Sequence, residues 1–130
     1  MTKTIFAILF LATSLFAELQ WEKSYSTALE KASKEHKMVM VMLSKEDCDA
    51  CWYMENIVFK DEKIINEVEK FFIPLYLDTA TSVMPSGINY FGTPTFHFLS
   101  ADGEKMDRFD GAANIKDFME ILEDASEEGE

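Results

Sequence analysis

The chain has 130 residues, enough for one domain and too few for two domains with separate hydrophobic cores. Its 24 acidic residues and 12 Lys and Arg give a net charge of −12. This charge argues against binding to nucleic acid or to an anionic membrane surface, because phosphate groups would repel the chain. With 48% apolar residues, it is too hydrophobic to be a disordered acidic segment. Its two cysteines, Cys48 and Cys51, exclude a disulfide-stapled miniprotein and a four-cysteine zinc site.

Residues 1–17 are typical of a secretory signal peptide. Lys3 supplies a positive charge, residues 5–16 are almost all apolar, and Ala17 ends the run with a small side chain. The run is shorter than the ~20 residues of a transmembrane helix. An uncleaved N-terminal anchor is the alternative. We therefore expect an exported, periplasmic protein whose net charge changes from −12 to −13 when Lys3 is removed with the signal.

The rest of the chain is predicted to form one domain, residues 18–125, followed by an acidic disordered tail, 126–130. Periodicity predicts helices over 21–37, about 48–57, 61–70 and 114–124, and strands over 38–43, 71–77, 95–99 and 104–109. Residues 38–43 are apolar at every position, which suits a strand covered on both faces. Pro74 indicates an edge or strand-start position. Residues 79–92 read as a loop with room for one short helix. This order predicts a small α/β sandwich around a mixed sheet.

The two cysteines form a Cys-x-x-Cys pair between a predicted strand and a predicted helix. This context is typical of a thioredoxin-like redox motif. Because two residues of a first helical turn separate the cysteines, both sulfurs lie within reach of a disulfide. The helix N-terminus favours the thiolate of Cys48, and the more buried Cys51 would attack the mixed disulfide that Cys48 forms. A purely structural disulfide is disfavoured, because so short a loop removes little chain entropy.

Over roughly residues 20–124 the chain resembles the thioredoxin superfamily, and most closely its periplasmic thioredoxin-like members. The resemblance rests on the strand that leads into Cys48-x-x-Cys51 and on the segment 92–95, Gly-Thr-Pro-Thr, that opens a later strand. It implies a three-layer α/β sandwich, with helices on both sides of a central mixed sheet, and no cofactor beyond the redox-active disulfide. In similar proteins the Thr-Pro bond is cis and lies opposite the cysteines, so Thr93 and Pro94 are implied to line the substrate groove.

The chain departs from ordinary thioredoxins close to the cysteines. Asp47 replaces the Trp before the first cysteine, Asp49-Ala50 replaces Gly-Pro, and Met42 stands where a buried acid assists proton transfer. Water or Glu46 would have to replace that acid in proton transfer.

Asp47 and Asp49 are predicted to tune the redox chemistry of Cys48. A carboxylate ~8 Å away costs a thiolate on the order of 1 kcal/mol at an effective dielectric constant of ~40. The helix terminus contributes about 0.3–1 kcal/mol in the opposite direction. We therefore expect a Cys48 of only mildly enhanced acidity, a relatively stable disulfide and a reducing dithiol. Asp47 is also expected to cap the helix.

Other soft or polar side chains offer metal sites as alternatives. Three methionines on one strand face could bind copper(I) together with the cysteines, although core packing is the favoured interpretation; they are Met38, Met40 and Met42. Zinc would need both His36 and His97 and is not expected. We expect His97 to be a partly buried strand residue.

Four aromatic residues close to the two motifs could form an apolar rim for an unfolded client, or pack in the core: Trp52, Tyr53, Tyr90 and Phe91. Trp52 is the one that we assign to substrate binding.

The function favoured by these observations is that of an exported thiol–disulfide oxidoreductase of the protein-disulfide reductase type. Its expected partners are disulfide-containing exported proteins and, as electron donor, a membrane thiol reductase. A monomer is expected, without nucleic acid or metal. The alternatives are a disulfide oxidase or isomerase, and a non-enzymatic chaperone of the same fold that binds copper or a client.

Overall fold

The computed structural model describes residues 18–129, so the predicted signal peptide, residues 1–17, lies outside the described residues. The helices are α1 Tyr25–Glu35, α2 Asp49–Asn56, α3 Glu62–Phe71 and α4 Ile115–Glu128, with a 3-10 turn at Val58–Lys60. The strands are β1 Met38–Ser44, β2 Phe72–Asp78, β3 Thr95–Leu99 and β4 Lys105–Asp110. Within residues 18–129, no helix has the length and apolar character needed to cross a bilayer.

The four strands form one mixed sheet in the order β2-β1-β3-β4. Strand β1 runs parallel to β2, whereas β3 is antiparallel to both β1 and β4. All seven residues of β1 are buried, as its apolar sequence predicts for a central strand. The predicted three-layer α/β sandwich around a central mixed sheet is confirmed.

Alternate residues of β1 point to opposite faces of the sheet and build two separate cores. On one face Met40 and Met42 join the side chains of α2, α3 and α4, and on the other Val39 and Val41 join α1. The first core is rich in aromatic residues. Phe59 lies at its centre, with its ring centroid 5.1, 6.0 and 5.4 Å from those of Trp21, Phe96 and Phe118.

Helix α1 begins at Tyr25 and not at residue 21 as predicted. The preceding segment pairs with the outer edge of β2, where the Glu22 amide donates to the Pro74 carbonyl at 2.8 Å. Ser24 then caps the helix by accepting from the Thr27 amide. Pro74 lies in an edge strand of the sheet, as predicted, because it has no amide hydrogen to donate to a ladder.

Helix α4 extends to Glu128, so the prediction of a disordered tail over residues 126–130 is wrong for residues 126–128. Ala125 is fully buried, which packs the last turns of the helix onto the core. Charge and composition predicted the end of this helix too early because they do not report that contact. All of residues 79–94 are described, and they form turns without a helix.

Candidate active site

Cys48 and Cys51 lie where β1 passes into α2. Cys48 is the N-cap of α2, and its Sγ accepts the Cys51 amide hydrogen at a distance of 3.2 Å. The two residues form a disulfide with a Cα–Cα distance of 5.2 Å. Cys51 is only 1% exposed, whereas Cys48 is half-buried. The sulfur of Cys48 is therefore the one that a large substrate can reach.

The acidic residues around Cys48 are exposed. Asp47 does not cap α2 as predicted, because Cys48 takes that position and Asp47 has a left-handed backbone conformation with φ of 55°. Asp49 stands in the first turn of α2, where its negative charge is favourable to the helix dipole. Within residues 18–129, Glu46, Asp47 and Asp49 form no salt bridge. No ion pair with a described Lys or Arg therefore holds these three carboxylates.

The loop before β3 faces the cysteines. The Thr93–Pro94 peptide bond is cis, and Pro94 is buried. The Thr93 hydroxyl donates to Cys48 Sγ at 3.4 Å, and the Thr93 carbonyl oxygen lies 3.5 Å from the same sulfur. An open groove runs beside this contact, lined by residues 91–95 and 110–111. The structure thus brings together Cys48, Thr93 and Pro94, which are far apart in the sequence.

Met42, which the resemblance aligns with the buried acid of ordinary thioredoxins, is fully buried in β1. Its partner across the β1–β2 ladder is Tyr76. Burial raises the pKa of the Tyr76 phenol, and the nearby Glu55 carboxylate raises this pKa further, so the phenol stays neutral. Glu46 is exposed in the turn before Cys48.

Three of the four aromatic residues near the motifs are exposed, and one is packed. Trp52 is 59% exposed, Phe91 is 96% exposed, and Tyr90 is also exposed. Tyr53 is half-buried against the core. Trp52, Tyr90 and Phe91 are therefore available to a substrate, while Tyr53 supports the fold.

The methionines and histidines considered as metal ligands lie apart from one another or pack in the core. Met38, Met40 and Met42 are buried in the aromatic-rich core, which agrees with the favoured interpretation of core packing. His36 ends α1 in a left-handed conformation, whereas His97 is buried in β3 with Nε2 2.7 Å from the Asn89 carbonyl oxygen. Burial lowers the pKa of His97. Among residues 18–129, no group of three or more His, Cys, Asp or Glu could hold a metal ion.

No sequence pattern indicates the polar network next to the Thr93–Pro94 loop. Arg108 donates from Nη1 to Asn89 Oδ1 at 2.7 Å, and from Nε and Nη2 to Asp110 Oδ1 at 3.1 and 2.9 Å. The Thr95 hydroxyl donates to the Gly92 carbonyl oxygen at 2.8 Å and lies 3.3 Å from Asp110 Oδ1. Hydrogen bonds from Arg108 lower the pKa of Asp110. Arg108 and Asn89 are 19 positions apart, so no local motif indicates their contact.

A half-buried cysteine at a helix N-terminus, disulfide-bonded to a fully buried one and facing a cis-proline loop, defines a thioredoxin-fold redox protein. The thioredoxin-like domain family matches residues 25–126, and the chain belongs to this family. It is a thioredoxin-like oxidoreductase with a Cys48–Cys51 disulfide.

Solved structures share this fold. A thioredoxin from Thermus thermophilus is 27% identical with a TM-score of 0.71, and the match covers 87% of this chain and 91% of that one. The periplasmic thioredoxin SoxS from Paracoccus pantotrophus is 15% identical with a TM-score of 0.61, over 72% and 100% of the two chains. The oxidised C-terminal domain of DsbD from Neisseria meningitidis is 21% identical with a TM-score of 0.60, over 82% and 99%. No curated protein sequence gives a significant match.

Proposed function

We propose that the protein reduces disulfides of exported client proteins through the Cys48–Cys51 dithiol. The observation that most directly supports thiol–disulfide exchange at this site is the position of Cys48, a half-buried residue at the N-terminus of α2 whose sulfur contacts the Thr93 hydroxyl. A helix N-terminus stabilises a thiolate, and a hydroxyl donor beside the sulfur does the same. Cys48 is therefore the nucleophile, and the buried Cys51 is the resolving cysteine.

The reaction proceeds by two thiol–disulfide exchanges. The Cys48 thiolate attacks one sulfur of the client disulfide, forming a mixed disulfide and releasing the other client cysteine as a thiolate. The Cys51 thiolate then attacks Cys48 Sγ, which forms the Cys48–Cys51 disulfide and releases the second client thiolate. Two protons complete the two client thiols, and the client has gained two electrons. An electron donor must then return two electrons to the protein.

The client segment is proposed to lie in the groove beside Thr93 and Pro94. An extended segment there would bring its disulfide to Cys48, because Thr93 contacts the Cys48 sulfur directly. Trp52 is proposed to cover the client from the side of α2. Its 59% exposure leaves much of the indole free to be buried, and burying a large apolar side chain contributes about 1.5–3 kcal/mol.

The acidic residues support the reducing direction. The negative charges of Asp47 and Asp49 oppose the Cys48 thiolate, which offsets part of the stabilisation from the helix terminus. A less stable thiolate favours the disulfide form, so the dithiol gives up its electrons readily. We propose a potential closer to that of a thioredoxin than to that of a disulfide oxidase.

Residues 1–17 are proposed to be a signal peptide cleaved after Ala17, which places the protein in the periplasm. In that compartment we propose a membrane thiol reductase as the electron donor and a monomeric protein, with no cofactor beyond the disulfide. Expression with and without residues 1–17, followed by fractionation and mass measurement, tests export. An intact N-terminus in the membrane fraction would favour the uncleaved anchor instead.

A redox titration of the Cys48–Cys51 pair tests the function. We expect a potential near the approximately −270 mV of thioredoxin and catalysis of insulin reduction. A potential near −120 mV, as in a strong oxidase, would overturn the reducing direction. Copper-dependent stabilisation without insulin reduction would favour the copper-binding chaperone.

A further inference from the structure

We propose that Arg108 is a positioning residue that holds Phe91 as a contact for an apolar client side chain next to the attacked cysteine. This inference rests on the proposed reductase function and names a feature of its substrates. Arg108 lies in β4 and contacts neither cysteine. Its guanidinium group instead connects the end of β4 with the loop that carries Phe91.

The contacts of Arg108 fix one end of that loop. Nη1 donates to the Asn89 side chain, while Nε and Nη2 donate to Asp110 in the same strand as Arg108. Asp110 thus orients the guanidinium group, whose Cζ lies 5.6 Å from the centroid of the Phe91 ring. Asn89 has a second anchor, because its carbonyl oxygen is hydrogen-bonded to the ring of His97. Asn89 is therefore held through both its backbone and its side chain.

The other end of the loop is held without Arg108. The Thr95 hydroxyl donates to the Gly92 carbonyl oxygen, and the Gly111 amide donates to the Pro94 carbonyl oxygen at 2.8 Å. These bonds secure Thr93 beside Cys48. Loss of the Arg108 side chain would leave Asn89 held only through its carbonyl oxygen, by His97, and would loosen the segment from Asn89 to Phe91. The contact between Thr93 and Cys48 would stay in place.

Phe91 lies between these two anchors and has almost no packing of its own. Its side chain is 96% exposed, so it adds little to the stability of the fold. Phe91 stands two residues before Thr93, which contacts the reactive sulfur. A client cysteine bound at Cys48 therefore brings its neighbouring residues to Phe91, and an apolar neighbour would be buried against the ring. Holding Phe91 in place before binding reduces the entropy lost when the client binds.

The test uses two disulfide-linked peptides that differ in one residue beside the cysteine, Leu in one and Ser in the other. For the parent protein we expect a lower KM for the Leu peptide. Arg108→Met should raise that KM about three- to tenfold and leave kcat, the redox potential and the KM for the Ser peptide unchanged. Lys105→Met, which removes an exposed positive charge from the same strand, is the matched control and should change none of these values.

A double-mutant cycle separates positioning from a general structural role. In a Phe91→Ser background, Arg108→Met should have no further effect on the KM for the Leu peptide, because its effect acts through Phe91. Additive effects, a shifted potential, or equal losses with both peptides would overturn the proposal.

Should Arg108→Met fail to fold, Asn89→Ala replaces it, since it removes the Oδ1 acceptor and keeps the carbonyl bond to His97. If the parent protein reduces neither peptide, the reductase function fails as well; if it reduces both with equal KM, only this inference fails.

Discussion

Two segments meet at the sulfur of Cys48, and they are held in different ways. The cysteine turn, residues 44–52, is organised locally, because Cys48 caps α2 by accepting the Cys51 amide hydrogen with its own sulfur. The proline loop, residues 89–95, is organised by side chains of β3 and β4: Arg108 and His97 hold Asn89, and Thr95 holds Gly92. The difference indicates a division of roles. We propose that the cysteine turn sets the redox chemistry and that the proline loop selects the client.

The largest expected effect comes from removing a sulfur from the cysteine turn. Cys48→Ser should abolish insulin reduction, because no nucleophile then forms the mixed disulfide. Cys51→Ser should also stop turnover, but it should accumulate a covalent adduct with the client, since Cys48 can still attack and nothing resolves the product. Non-reducing gels and mass spectrometry detect this adduct. An adduct that forms with Cys48→Ser and not with Cys51→Ser would reverse the two roles.

A smaller effect is expected from the hydroxyl that closes the proline loop. Thr95 is buried, and Thr95→Val keeps the shape of the side chain but leaves the Gly92 carbonyl oxygen without its donor. We expect a loss of about 1–2 kcal/mol in the free energy of unfolding, measured by urea denaturation. Thr81→Val is the control, because Thr81 is exposed in the same long loop. Equal losses in the two variants would argue that the buried bond contributes nothing specific.

A still smaller effect is expected from the acidic residues of the cysteine turn. They should change the redox potential of the Cys48–Cys51 pair and have little effect on the free energy of unfolding. Asp49→Asn removes a negative charge near Cys48, which makes the Cys48 thiolate more stable and so stabilises the reduced protein. The stabilisation of the thiolate is on the order of 1 kcal/mol, which corresponds to a redox potential that is less negative by about 20 mV. Asp47→Asn should act in the same direction. Thiolate absorbance against pH and a glutathione titration provide the two measurements.

The control for these variants is Asp102→Asn, in the turn that follows the far end of β3. It removes the same charge at a distance and should leave the potential unchanged. A potential that becomes more negative in Asp49→Asn would contradict the tuning role. A strongly acidic Cys48 in the parent protein would contradict the prediction of a mild thiolate.

The smallest expected effect is the pH dependence that His97 adds under the proline loop. Burial lowers the pKa of His97 from its ordinary value of 6.5, and the charges of Arg108 and Lys105 act in the same direction, against opposing contributions from the Asn89 carbonyl and Asp110. Below pH 6.5, His97 is therefore protonated in the unfolded chain but stays neutral in the folded protein until the pH reaches its lowered pKa. Stability should fall as the pH drops from 6.5 toward the lowered pKa, by at most ~1.4 kcal/mol per pH unit.

Thermal unfolding of the parent and of His97→Gln at pH 7.5 and 5.5 measures this contribution. Gln retains a donor for the Asn89 carbonyl oxygen but does not titrate, so the variant should lose less stability between the two pH values. An identical pH dependence in the two proteins would show that His97 is not responsible.

Much of the fold and the central part of the site could be predicted from local patterns. The apolar run of β1 predicted a central strand, and the spacing of Cys48 and Cys51 predicted a pair at the start of a helix, because both signals lie within a few consecutive residues. The limits of α1 and α4 could not be predicted in this way. Helix α1 begins late because Glu22 pairs with β2, and α4 continues because Ala125 is buried against the core.

The two segments around Cys48 differ in the same respect. The cysteine turn follows from the covalent order of residues 44–52, with the exception of Asp47, whose left-handed conformation leaves the cap position to Cys48. The proline loop depends on Arg108, whose hydrogen-bond partner Asn89 is 19 positions away. The β3–β4 hairpin brings these two residues together, and no periodicity or motif reports such a distance. The local sequence therefore determines where the two cysteines lie, while the packing of the chain determines the surface that we propose for the client.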